Sequence, residues 1–79
     1  GNAVAQFNLG VMYSDGQGVP QNYVEAHKWY NLAASRASAE DQKRYAELRD
    51  QVAEKMTPQQ IADAQQRATA WLAAFEQRN

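Results

Sequence analysis

A few residues in this 79-residue sequence have types that carry chemistry elsewhere, and they set the first question. Gly16-Gln17-Gly18 is a paired-glycine loop of the kind that can cradle a phosphate. A dinucleotide cradle requires a strand before it and a third glycine, but here Gln21 stands in the third place and a helical pattern comes before. No lysine and hydroxyl follow at P-loop spacing either, so the loop reads as a turn. Ser14 and Asp15 beside it would make a nucleophile and an orienting acid only with a base and an oxyanion hole, and the sole imidazole, His27, lies well along the next segment. His27 has no second imidazole or thiolate for a metal site, and it reads as a boundary residue next to an apolar stripe. Glu40, Asp41 and Glu54 fall on polar faces, where carboxylates form local ion pairs and keep a helix soluble. Trp29, Tyr30, Tyr45, Trp71 and Phe75 recur at helical spacing rather than interleaved with basic residues, which makes them core rather than a stacking platform for nucleic acid.

The elements that must position these residues are helices. Alanine, glutamine, glutamate, leucine and arginine dominate, and β-branched residues are sparse. Ala5, Leu9 and Tyr13 recur every fourth residue, which predicts a helix over about 3–14 ending at Gly16, a residue suited to the left-handed conformation past a helix end. Asn22 with Glu25 has the spacing of a capping box and opens a second helix with Tyr23, Ala26, Tyr30, Ala33 and Ala34 inside and Trp29 at the margin. Ser38 with Asp41 starts a third, striped by Tyr45, Leu48, Val52 and Met56. Thr57, Pro58 and Gln60 form the clearest boundary in the chain, with a capping residue, a proline at the first helical position and a box-closing glutamine. The fourth helix then shows Ile61, Ala64, Ala68, Trp71, Leu72 and Phe75 on one face. The fold class is therefore all-α, four helices in two antiparallel hairpins.

Totals narrow the function classes. One small domain is all this length supports, and such a chain buries only about 60% of its unfolded surface. Eight basic and nine acidic residues are interspersed, which argues against a nucleic-acid arm. Cysteine is absent, ruling out disulfides and thiolate metal sites, and the longest apolar runs are too short to insert in a membrane. Neither cofactor nor metal is expected, and no enzyme activity. The first residue is Gly rather than Met, which suggests a processed or excised piece.

Residues 5–34, "AQFNLGVMYSDGQGVPQNYVEAHKWYNLAA", resemble a Sel-1-like repeat, a relative of the tetratricopeptide repeat whose hairpins stack into an α/α solenoid. The resemblance rests on Ala5, Leu9, Gly10, Tyr13, Gly16, Gly18, Val19, Ala26, Trp29, Tyr30, Ala33 and Ala34. It implies a repeat hairpin over residues 1–36 within a right-handed superhelix. One period later the Leu9, Gly10 and Tyr13 places hold Tyr45, Ala46 and Arg49, so residues 37–79 read as a capping hairpin that closes the array. Arrays need about three repeats for stability. Upstream repeats are thus expected to be missing, with self-association through the open N-terminal end as the consequence.

The resemblance also implies a function: a non-catalytic scaffold that binds a protein or peptide segment on its concave face. The groove positions carried over are Val4, Phe7, Val11 and Ser14 on the first helix and Glu40, Lys43, Glu47 and Asp50 on the third. The lysine and asparagine with which some relatives grip a peptide carboxylate are absent at Phe7 and Val11, so the expected partner has apolar anchors and some basic residues. Phe7 and Val11 have a second reading, as packing against the neighbouring helix. The alternatives at the level of function are a repeat protein that binds a small molecule or cell-wall fragment, and a purely structural end-cap. Some members of the wider family are linked to β-lactam binding, but no serine–lysine pair stands here at the required spacing. The resemblance implies a bacterial setting, periplasm or cytoplasm, which the residues themselves do not decide.

Overall fold

The computed structural model describes residues 2–77, so Gly1 of the first unit and residues 78–79 of the second lie outside the described residues. Four helices follow in order: α1 (Ala3–Asp15), α2 (Tyr23–Arg36), α3 (Ala39–Ala53) and α4 (Pro58–Gln77), with no strand among the described residues.

The helix ends are set by local hydrogen bonds. Asn2 caps α1 through its side-chain oxygen, which accepts from the Val4 N–H at 2.8 Å. Gly16 ends α1 at φ +70°, where its N–H returns to the Met12 carbonyl. A bond from the Asn22 N–H to the Tyr13 carbonyl at 2.9 Å then closes the reversal into α2. Asn22 caps α2 by accepting from the Glu25 N–H at 3.1 Å, but Glu25 does not complete the box. Its carboxylate instead meets Lys28 and Arg67, both at 3.3 Å, because charged partners outbid a backbone amide. Thr57 and Gln60 do form the reciprocal box, at 2.9 and 3.1 Å. Ser38 occupies the α3 N-cap position without a side-chain bond, contrary to the capping role read for it.

The other three helices all pack on α2. One cluster joins Ala26, Tyr30 and Val52 with Phe7, Val11, Tyr13, Tyr23, Leu48 and Met56. A second joins Ala33, Ala34 and Tyr45 with Ala3, Phe7, Ala37 and Ala46. Gly10 lets α1 lie against the Tyr30 ring, since a Cβ there would stand 2.6 Å from Tyr30 Cδ1. Helix α4, although joined to α3 by a short turn, takes its tertiary packing from α2. Trp71 meets Trp29 edge-on at 5.8 Å, stacks on Phe75 at 5.3 Å, and Arg67 reaches Glu25.

The inward face of α1 differs from the stripe expected. Ala5 is exposed, and Gln6 takes the buried place beside Gly10. Phe7, not Leu9, fills the space between α1 and the other helices. The reason is physical: α1 has a single charged residue, Asp15, and is apolar nearly all round, so its sequence does not mark one face as outward.

Candidate functional site

Two rings join α1 to α3. Phe7 stacks on Tyr45 with centroids 4.6 Å apart and planes within 16°, and it tilts against Tyr30 at 5.8 Å. Over this pair lies Arg44, whose guanidinium carbon is 5.3 Å from the Phe7 centroid and 5.7 Å from that of Tyr45. A guanidinium on a ring face gains from the ring quadrupole while its N–H edge stays available. Sequence reading missed Arg44; its one signal was a position next to Tyr45, at the border between the apolar stripe and the charged face of α3.

The eight groove residues divide by environment. Phe7 is half-buried in both core clusters, and Val11 is half-buried against the first. Ser14 is partly covered, and its carbonyl accepts from Gln21 Nε2 at 2.9 Å. Val4 is 54% exposed, the exposed large apolar residue of the described surface. Glu40, Lys43, Glu47 and Asp50 are all exposed along α3. Among the described residues, only Asp50 of these four has an ion pair, to Arg49 at 3.2 Å. The helices thus bring together an apolar line on α1 and a charged line on α3, joined through the Phe7–Tyr45 stack.

The residues that suggested chemistry are placed as follows. Gly16 and Gly18 both have positive φ, +70° and +76°, and make the turn. His27 is not a boundary residue: it is 3% exposed, buried in α2 with no hydrogen-bond partner on Nδ1. Burial and the nearby Arg49 cation hold its pKa below the ordinary 6.5, with Asp50 opposing them. No group of three or more His, Cys, Asp or Glu side chains arranged to hold a metal is present among the described residues. Gln6, 3% exposed, has neither end of its carboxamide paired among the described residues, and the polar type of this residue hid its burial from sequence reading. Two shallow open hollows lie on the outward side of α4; the more apolar, about 460 Å³, is lined by Ala62, Gln65, Gln66, Thr69, Ala70 and Ala73. No helix of the described chain is long and apolar enough to cross a membrane.

Comparison with known protein families matches residues 3–38 to the Sel1 repeat. No curated protein and no solved structure gives a significant match. The matched span covers α1, the glycine turn and α2, the hairpin built on the Gly10–Tyr30 contact. The Sel1 repeat is a tetratricopeptide-like helical hairpin of the solenoid class, and such repeats generally mediate protein–protein interaction and are typically non-catalytic.

Proposed function

From the premise that residues 3–38 are a Sel1 repeat, we propose that this chain is a non-catalytic interaction scaffold, the C-terminal part of a solenoid, which takes a partner segment across α1 and α3. The observation that carries the reading is the Phe7–Tyr45 stack, which bridges the two helices. Beside it Val4 offers an exposed apolar side chain, and Glu40 and Glu47 offer carboxylates without an ion pair among the described residues. A partner segment with an apolar anchor and flanking lysine or arginine would answer both. Phe7 itself is occupied by packing, so it supports the face rather than gripping the partner.

The test is selection of a displayed peptide library on the intact chain, followed by binding to a Glu40→Lys, Glu47→Lys variant. Recovered peptides should combine an apolar anchor with basic residues and lose at least tenfold in affinity for the variant. Peptides that bind both forms equally would refute the assignment of this face.

A further inference from the structure

His27 is the only histidine in the chain, and nothing in the scaffold reading uses it. It sits on α2 with 3% exposure, and its Nδ1 is buried without a partner. The charged groups that face it, Arg49 and Asp50, both belong to α3. Arg49 is anchored close by: it donates to Asn31 Oδ1, one turn along α2, at 3.0 Å, and to Asp50 at 3.2 Å. The carboxylate that would welcome a charged imidazole is therefore already engaged by a cation.

Among the described residues the other elements offer no compensation. The one charged residue of α1, Asp15, acts on Tyr30. On α4, Asp63 and Arg67 are paired with each other, and Arg67 with Glu25 of α2, which also holds Lys28. A second ring proton would place a charge and an unpaired donor in a buried seam beside a guanidinium, and such a site is relieved by letting water in.

We infer that the α2/α3 seam is an acid-operated latch: a proton added to His27 undocks α3 from α2 while α1 and α4 stay seated. Each keeps its main attachment to α2, although α1 also shares both core clusters with α3. Helix α1 is held by the Gly10–Tyr30 approach, and α4 by Trp29–Trp71 and Glu25–Arg67. The α1 contacts that must open with α3 are the Phe7–Tyr45 stack, Arg44 over Phe7, and the packing of Phe7, Val11 and Tyr13 in the cluster with Val52. The latch stands independently of the scaffold reading, and if both hold, acid also takes the partner face apart.

The direction follows from linkage. The docked imidazole resists protonation, and the undocked one titrates near the ordinary 6.5. Docking is therefore at full strength above about pH 6.5 and weakens as pH falls, by at most tenfold per pH unit for one proton, until the docked imidazole itself titrates.

The experiment is amide hydrogen exchange on the intact chain between about pH 7.5 and 5, corrected for intrinsic rates, with the single His27 ring resonance followed in parallel. Amides of Ala39–Ala53 should lose up to about tenfold in protection per pH unit below 6.5, while those of α1 and α4 hold. Arg49→Gln, which removes the neighbouring cation, should raise the midpoint of the His27 resonance. His27→Gln, where it folds, should leave α3 protection flat with pH. Equal loss in all four helices, or a His27 resonance that titrates with α3 protection unchanged, would overturn the latch. Neither readout requires a partner, so its failure is separate from failure of the scaffold reading.

Discussion

Gly10 on α1 and Tyr30 on α2 share one volume: the ring occupies the space a β-carbon at position 10 would need, 2.6 Å from Cδ1 and 2.7 Å from Cε1. Tyr30 is 4% exposed and cannot swing aside into solvent. Gly10→Ala would gain about 1 kcal/mol of helix propensity, against about 1–3 kcal/mol for forcing a buried ring to move. The net expectation is a loss of about 1 kcal/mol, within a range of about 0–2, read as a fall in urea midpoint with unchanged slope. An unchanged or raised midpoint would show that this contact does not set the α1–α2 distance.

Phe7 and Val4 lie one turn apart on α1 and should behave oppositely. Phe7→Ala removes a ring from both clusters and should cost about 2–3 kcal/mol. Val4→Asp changes an exposed side chain and should stay within about 0.5 kcal/mol. Thermal melts of the two variants separate the supporting residue from the surface one, and a Phe7→Ala melt equal to that of the parent would contradict the assignment.

The Thr57–Gln60 box is the reciprocal cap among the helix starts. Thr57→Ala should therefore cost about 1 kcal/mol, with exchange quickening first in the opening turn of α4. A protected opening turn in that variant would mean that packing on α2, not the cap, defines where α4 begins.

Rings rather than charges should hold α4. Arg67 is about half exposed, at 47%, and its pairs with Asp63 and Glu25 are open to screening. Arg67→Ala is expected to cost no more than about 0.5 kcal/mol. Trp71→Ala, which removes the Trp29 and Phe75 contacts, should cost about 2 kcal/mol or more. Chemical denaturation of both variants gives the order, and a reversed order would contradict the packing described.

Much of this was legible in the sequence because helix ends are local. Asn22, Gly16 and the Thr57-Pro58 pair mark three boundaries through hydrogen bonds made within a few residues. The stripes of α2 and α3 were legible because charged residues stand on their other faces, and that of α4 because glutamine, threonine and small alanines do. The face of α1 was not: with so little charge, Ala5–Leu9–Tyr13 and Ala3–Gln6–Gly10 compete as stripes, and only the fit of Gly10 to Tyr30 selects the second. Which helix receives α4 was equally hidden, since a stripe announces burial without naming what covers it. The same limit concealed Arg44 over Phe7 and the burial of His27, both of which depend on contacts between separate helices.

The central claim, that partners are taken across α1 and α3, is tested most directly by amide shift mapping of the intact chain with a library-selected peptide. The account predicts saturable shifts centred on Val4, Phe7, Arg44 and Glu47, with α4 undisturbed. Shifts confined to the Ala62–Ala73 side of α4 would contradict it.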